Sequence, residues 1–191
     1  MSFNALTARI DSLLARKDRV IVAIDGSCAS GKTTLAAALE EKYHCGVFHM
    51  DDFFLRPEQR TDERFAEPGG NVDYERFKEE VLLPLLDGSA FSWRPFLCQS
   101  MTLAAPEEFT PGRLTVVEGS YSLHPSFGDY ADLKIFLQIS PDLRRERILA
   151  RPAFLHESFF THWIPMEQLY FDTFSIAGKC DMILDANDLL A

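Results

Sequence analysis

The stretch that decides the fold of this chain reads Gly26-Ser27-Cys28-Ala29-Ser30-Gly31-Lys32-Thr33-Thr34. It matches the pattern G-x-x-x-x-G-K-[ST] at every fixed position. The two glycines let the backbone turn tightly, so that successive N–H groups face inward and can surround phosphate groups. A β-branched run at 19–25 precedes the stretch, and a strongly helical run at 35–44 follows it. A phosphate-binding loop needs a strand before it and a helix after it, so this context supports the motif.

The motif predicts a nucleotide site that also binds a metal ion. All nine residues of the stretch are candidate nucleotide ligands. Lys32 is expected to reach the β- and γ-phosphates and to act in catalysis, and the Thr33 hydroxyl is expected to bind Mg²⁺. The helix after the loop adds the positive end of its dipole. We therefore expect ATP and Mg²⁺ as the bound groups.

Short apolar runs alternate with helical patterns along the rest of the chain. The runs that indicate strands are 19–25, 46–50, 114–119, 133–139 and 182–185. Strands that alternate with helices predict a parallel sheet covered by helices on both faces. The predicted fold class is therefore α/β, a P-loop NTPase, in a single domain over 1–191. Aromatic and β-prone pieces at 88–112 predict a hairpin excursion, 144–165 is expected to form a small lid, and polar 56–71 a mobile loop.

Acidic residues follow two of the predicted strands. Asp51 and Asp52 come directly after the run at 46–50, and Glu118 ends the run at 114–119. The carboxyl ends of parallel strands meet at one edge of the sheet, where ligands bind, so these carboxylates should lie beside the phosphate loop. Asp51 or Asp52 is the candidate base for an acceptor hydroxyl. Glu118 and Asp51 are candidate metal ligands.

Basic residues cluster on the predicted helix 141–151. They are Arg144, Arg145, Arg147 and Arg151. Their spacing of three and four residues places only a subset on one helix face, so we expect one or two of them to act on phosphate.

Composition excludes several classes of protein. The formal net charge is −10 and the basic residues form no long run, which argues against a nucleic-acid partner. The four cysteines are scattered without a C-x-x-C pair, as is typical of a reducing cytosol. No secretory signal pattern and no apolar run near ~18 residues is present, so we expect a cytoplasmic protein with no membrane partner. The patterns D-x-x-G and [NT]-K-x-D are absent from the sequence, which argues against a regulatory GTPase.

Several segments together resemble the uridine kinase branch of the P-loop kinases, alongside phosphoribulokinase, nicotinamide riboside kinase and bacterial pantothenate kinase. The segments are GSCASGKTT (26–34), HMDDFFL (49–55), NVDYERF (71–77), TVVEGSYSLHP (115–125) and ISPDLRRERILAR (139–151). The resemblance implies transfer of the γ-phosphoryl group of ATP to a hydroxyl of a nucleoside or related ribosyl metabolite, at its 5′ position. It also implies a homo-oligomer, a dimer or a tetramer.

The resemblance further implies roles for individual residues. Asp51 takes the place of the family's catalytic base, with Asp52 as the competitor. Asp73 matches an acidic residue that binds ribose hydroxyls, although from the residues alone it is a cap for the helix 74–86. Glu118 matches a glutamate near metal and substrate, and Arg147 a lid arginine that contacts phosphate.

The acceptor pocket would be shaped by aromatic residues and by the hairpin. On the resemblance, Phe54 and Arg94 are the candidate substrate-binding residues there. Two other functions stay open. One is a pantothenate-type or other non-nucleoside alcohol kinase, and the other is a P-loop ATPase regulator without a small-molecule acceptor.

Overall fold

The computed structural model describes residues 2–187 and is built around a five-stranded parallel sheet. In chain order its strands are β1 (Val20–Gly26), β2 (Gly46–His49), β3 (Phe91–Trp93), β4 (Phe96–Leu97), β5 (Thr102–Leu103), β6 (Glu107–Phe109), β7 (Leu114–Glu118), β8 (Leu133–Gln138) and β9 (Met182–Asp185). The central sheet has the order β2-β7-β1-β8-β9, and all its neighbouring strands are parallel. The predicted α/β fold with a parallel sheet is confirmed.

Helices connect the strands and cover the sheet. They are α1 (Phe3–Leu14), α2 (Lys32–Tyr43), α3 (Asp62–Ala66), α4 (Tyr74–Phe77), α5 (Leu83–Asp87), α6 (Pro141–Leu149), α7 (His156–Ser158) and α8 (Ile164–Phe174). A π-helical turn at Lys78–Leu82 joins α4 to α5, and another at Phe159–Trp163 joins α7 to α8. None of the helices in residues 2–187 combines the length and the apolar character that crossing a membrane requires.

Strand β1 shows why the sheet is covered on both faces. It is buried along its whole length. Val22 and Ile24 pack into one hydrophobic core with α1 and α2, while Ile21 and Ala23 pack into a second core on the opposite face. Because successive side chains of a strand point to opposite faces, an uninterrupted apolar run can only be buried between two layers.

The register of the sheet brings three strand ends together. Ile24 of β1 and His49 of β2 both pair with Glu118 of β7. Gly26, at the end of β1, has a φ of +139°, and a Cβ there would lie 2.2 Å from the carbonyl oxygen of Leu137 in β8. Only glycine fits such a close approach, so the first glycine of the motif starts the phosphate loop at this edge of the sheet.

The segment 88–112 forms the predicted hairpin excursion as two nested antiparallel pairs. Strand β3 pairs with β6 on the outside, and β4 pairs with β5 at the tip. The excursion is anchored by aromatic contacts to the core, since the rings of Phe91 and Trp93 lie 6.0 and 5.3 Å from the ring of Phe48. The aromatic residues of this segment therefore serve packing.

The segment 56–71 has more local structure than its polar composition predicts. It contains a helical turn at Pro57–Gln59 followed by α3. Arg64 of α3 donates hydrogen bonds to the carbonyl oxygens of Gly70 and Val72, at 3.1 and 2.9 Å, and pairs with Glu75 at 2.7 Å. One arginine thus ties the segment to the start of the next helix, a long-range effect that composition does not reveal.

Candidate active site

A cavity of about 630 Å³ opens where β1, β2 and β7 end, and its size is within the range of roughly 300–1,000 Å³ that small-molecule sites occupy. The predicted site residues that line it are Cys28, Ala29, Ser30, Gly31, Lys32, Thr33, Thr34, Asp51, Phe54, Glu118 and Arg147. Residues of the phosphate loop, of two neighbouring strand ends and of the segment predicted as the lid therefore face one space.

Lys32 is held against its own loop. Its ammonium group donates hydrogen bonds to the carbonyl oxygens of Gly26 and Ser27, at 2.8 and 2.9 Å, and lies 3.4 Å from the hydroxyl oxygen of Ser120. The side chain is only 8% exposed. Two of the three ammonium N–H groups are thereby anchored, which fixes the charge at the cavity wall before a ligand binds.

Thr33 and Glu118 form a pair of oxygen ligands beside Lys32. The Thr33 hydroxyl donates to the buried carboxylate of Glu118 at 3.0 Å, and Nδ1 of His49 lies 2.5 Å from the same oxygen. The hydrogen bond to Glu118 raises the pKa of His49 above its ordinary value. The imidazole therefore takes up a proton more readily and offsets part of the negative charge.

The chemistry of this oxygen pair fits Mg²⁺. A hydroxyl and a carboxylate are the hard ligands that Mg²⁺ prefers, and it usually binds through one or two protein groups, water and substrate phosphates. Within residues 2–187 no group of three or more His, Cys, Asp or Glu side chains is arranged to hold a metal ion. The fit accordingly rests on Thr33 and Glu118 next to a phosphate loop.

Asp51 and Asp52 differ in their surroundings. Asp51 lines the cavity, whereas Asp52 is not among its lining residues and uses its carbonyl oxygen to accept a 2.8 Å hydrogen bond from Arg76. Asp51 is exposed to solvent at the cavity, although many protein atoms lie near its carboxyl. Burial is the main cause that raises its pKa, and the positive charge of Lys32 opposes that shift. Burial also raises the pKa of Asp52.

Asp25, directly before the phosphate loop, is a buried acceptor for four hydrogen bonds. The donors are the backbone N–H groups of Gly26, Tyr121 and Leu123, at 2.7, 3.2 and 3.0 Å, and the Tyr170 hydroxyl at 2.8 Å. Burial raises the pKa of Asp25 to about 6, against these hydrogen bonds. One carboxylate therefore ties the loop to the segment after β7 and to α8.

The hydrogen bond from Tyr170 to Asp25 should contribute measurably to stability. Tyr170→Phe removes the hydroxyl donor from a fully buried carboxylate, and hydrogen bonds to charged groups contribute about 1.5–3 kcal/mol. We expect that loss in the free energy of unfolding, measured by urea denaturation at pH 8. Tyr43→Phe is the matched control, because the Tyr43 hydroxyl donates to the exposed carboxylate of Asp11. Its removal should lower the free energy of unfolding by less than ~1 kcal/mol. Equal losses in both variants would contradict the role given to Asp25.

Two of the four arginines considered from sequence reach the cavity. Arg147 donates through one terminal nitrogen to the carbonyl oxygens of Ala29 and Ser30 in the phosphate loop, both at 3.1 Å. Arg151 also lines the cavity, with its guanidinium carbon 4.9 Å from the ring centre of Phe159. This agrees with the helical spacing of the four arginines, which places only a subset of them on one face.

Two residues assigned to the substrate from the family resemblance lie outside the cavity wall. Asp73 is 1% exposed and caps α4, as the residues alone predict, by accepting a 3.1 Å hydrogen bond from the Arg76 backbone N–H. Arg94 donates to the carbonyl oxygen of Ala104 at 2.8 Å and braces the hairpin. The brace accounts for Arg94, whereas the cap uses only Oδ1 of Asp73, and its buried Oδ2 lies 3.5 and 3.6 Å from the Nε atoms of Arg56 and Arg76.

Several cavity residues were not anticipated from sequence. Glu167 of α8, 5% exposed, accepts a 2.9 Å hydrogen bond from the Cys28 backbone N–H and a 2.6 Å hydrogen bond from the Ser120 hydroxyl. Asn71 also lines the cavity. Tyr121, another lining residue, is a weak substrate candidate from sequence because it lies three positions after Glu118, and the same proximity could have pointed to Ser120. No local pattern marks Glu167, because it is 139 residues from Cys28.

Comparison with known proteins agrees with this architecture. No protein-family model matches the chain. It is 29% identical over 161 residues to the bifunctional alpha-galactosidase/sucrose kinase AgaSK of Mediterraneibacter gnavus, a match that covers 71% of this chain and 17% of that much longer protein.

Solved structures resemble the chain over nearly its whole length. A possible uridine kinase from Bacillus stearothermophilus has a TM-score of 0.67 at 20% identity and covers 95% of this chain and 100% of its own. D-glycerate 3-kinase from Cryptococcus neoformans var. grubii serotype A has a TM-score of 0.64 at 14% identity, with 97% and 96% covered. The chain therefore has the α/β fold of the P-loop kinases, with structural neighbours of the uridine kinase and glycerate kinase types.

Proposed function

We propose that this chain transfers the γ-phosphoryl group of ATP to a hydroxyl of a small uncharged metabolite, a nucleoside or related ribosyl compound. The observation that carries the proposal is that the phosphate loop and Asp51 line the same cavity. The curated relative with sucrose kinase in its name supports a kinase that acts on alcohols.

In this mechanism, the hydroxyl oxygen of the acceptor forms a bond to the γ-phosphorus, and Asp51 accepts the proton of that hydroxyl. The bond to the β–γ bridging oxygen breaks, and ADP leaves. Lys32 and Arg147 stabilise charge on the phosphoryl oxygens. Closure of the segment 144–165 would exclude water that otherwise hydrolyses ATP.

The metal ion would be held by Thr33 and Glu118. When bound there, Mg²⁺ would neutralise part of the negative charge of the phosphates. The Thr33 hydroxyl now donates to Glu118, so both side chains already point to one place. His49, hydrogen-bonded to Glu118, would hold that carboxylate in orientation.

The acceptor end of the cavity favours an uncharged substrate. We define it as the wall formed by Asp51, Phe54, Asn71, Cys98 and Tyr121. None of these five residues is basic. Among residues 2–187, the basic residues that line the cavity are Lys32, Arg147 and Arg151. A phosphorylated acceptor would need its own cation there. The Asp51 carboxylate and the Asn71 amide offer the hydroxyl groups of a substrate hydrogen-bond partners instead.

A carbohydrate or another non-nucleoside alcohol is the second candidate acceptor. Asp73, which the resemblance assigns to ribose hydroxyls, is buried as a helix cap. A nucleoside kinase of this kind would have to recruit another group to hold ribose. The name of the curated relative points to a sugar.

The proposal is tested by incubating the protein with MgATP and a panel of alcohols. The panel contains uridine, cytidine, nicotinamide riboside, pantothenate, sucrose and D-glycerate. We expect one class to stimulate ADP release, with a product heavier by one phosphoryl group in mass spectrometry. Stimulation by a protein partner alone, with no acceptor effective, would contradict the proposal.

Ionisation of Asp51 should set the acidic limb of the pH–rate profile. A base must be deprotonated, and burial holds the pKa of Asp51 above the ordinary value of 3.8. Activity should therefore be lost as the pH falls through that raised pKa, and kcat/KM measured against pH should show its acidic limb above pH 3.8. In the Asp52→Asn variant the limb should remain. A profile flat down to pH 3.8 would contradict the assignment.

A further inference from the structure

The buried carboxylate of Glu167 occupies a backbone N–H group of the phosphate loop. Its Oε2 accepts from the Cys28 N–H at 2.9 Å, and its Oε1 accepts from the Ser120 hydroxyl at 2.6 Å. N–H groups of such loops are anion sites, where a carboxylate and a phosphate compete for the same donors. Glu167 is 5% exposed and lines the cavity, so it is a built part of the site.

The contact lies at the end of the site where the terminal phosphate is transferred. The Ser120 hydroxyl that bonds Glu167 is 3.4 Å from the ammonium nitrogen of Lys32, and that ammonium reaches the β- and γ-phosphates in loops of this type. The negative charge of Glu167 also contributes to raising the pKa of Asp51. Glu167 therefore contacts the phosphate loop and lines the same cavity as the predicted base.

We infer that Glu167 is a specificity-determining residue that discriminates between ATP and ADP, by competing with the γ-phosphate for the Cys28 N–H. A γ-phosphate that approaches this N–H meets a like charge and must displace the carboxylate. ADP has no third phosphate and does not meet it. Glu167 thus weakens binding of the triphosphate selectively. The inference rests on the proposed use of ATP, and it adds a residue to which no role was assigned.

The segment directly before Glu167 also belongs to the cavity wall. The π-helical turn Phe159–Trp163 lies directly before α8, and π-helical turns often mark functional sites. Leu155, Phe159 and Trp163 line the same cavity from this segment. Because the buried Tyr170–Asp25 hydrogen bond holds α8 against the loop, displacement by a phosphate would involve the Glu167 side chain rather than the helix.

Binding of ATP and ADP to the Glu167→Gln variant tests the inference directly. Glutamine keeps the size of the side chain but removes its charge, and its hydrogen bond to the Cys28 N–H is weaker because it is no longer charge-assisted. If Glu167 blocks the Cys28 N–H in roughly nine molecules of ten, the apparent Kd for ATP is about ten times the Kd of the unblocked site. We therefore expect the variant to lower the Kd for ATP about tenfold and to leave the Kd for ADP within about twofold of its original value. Isothermal titration calorimetry with each nucleotide gives both constants.

The controls separate this role from a structural one. Glu157→Gln makes the same change at an exposed position of the neighbouring helix α7 and should leave both Kd values unchanged. Glu167→Ala removes the contact altogether and should also tighten ATP relative to ADP. The inference would be overturned if the ratio of the Kd for ATP to the Kd for ADP were unchanged in both Glu167 variants. Equal weakening of ATP binding and ADP binding would overturn it as well. Failure of the unaltered protein to bind ATP would instead contradict the proposed function.

Discussion

Replacement of Lys32 by alanine should reduce acceptor-dependent ADP release by at least ~10³-fold, because it removes the one ammonium group fixed inside the phosphate loop. In the structure that group is anchored by the carbonyl oxygens of Gly26 and Ser27 and is almost fully buried. A charge that is already in place costs no reorganisation when negative charge develops on the phosphoryl oxygens. The measurement is initial-rate ADP release with the acceptor identified from the panel.

Lys42→Ala is the matched control for this experiment. Lys42 lies in the last turn of the same helix, α2, on the exposed side. Its loss should leave the rate within about twofold, since surface substitutions usually have small effects. Circular dichroism and thermal unfolding should show that the Lys32 variant is folded. A folded Lys32→Ala variant with more than a tenth of the original rate would contradict the catalytic role.

Asp51→Asn should lower kcat by at least ~10²-fold and leave the affinity for ATP nearly unchanged, because the amide cannot accept the proton of the attacking hydroxyl. Asp51 faces the cavity together with Lys32 and Glu118. In the proposed function the nucleotide is bound by the phosphate loop and not by this side chain, so binding and chemistry should separate. Calorimetry for ATP and steady-state kinetics for the acceptor measure the two effects.

Asp52→Asn is the control at the next position. Asp52 carries the same functional group but is absent from the cavity lining, and its backbone carbonyl is bonded to Arg76. We expect its rate to stay within about fivefold, in the range of a residue that does not touch the reacting atoms. Full activity in both single variants would remove the base assignment, and loss only in Asp52→Asn would transfer it to the neighbour.

The predictability of the site differed from residue to residue. Lys32 and Thr33 could be placed from sequence, because the motif and its flanking strand and helix are contiguous. Glu118 followed from the rule that parallel strands end at one edge, and its pairing with His49 and Ile24 agrees with that rule. For Asp73 the local interpretation as a helix cap described its position better than the role taken from the resemblance.

The sequence by itself determined the alternation of strands and helices, the phosphate loop and the hairpin excursion. These features depend on neighbouring residues: side-chain periodicity, turn-forming glycines and helix caps act within a few positions. Such local signals specify which element forms. They also specify what each strand carries at its end.

Only the tertiary structure decided which side chains share the cavity. It placed Asp51 rather than Asp52 at the wall, left Asp73 and Arg94 outside the lining, and brought Glu167 onto the Cys28 N–H. The physical reason is that these contacts depend on how α8 and the hairpin pack against the sheet. A hydrogen bond between residues 139 positions apart has no local signature, since buried polar groups take whichever partners the packing brings within reach.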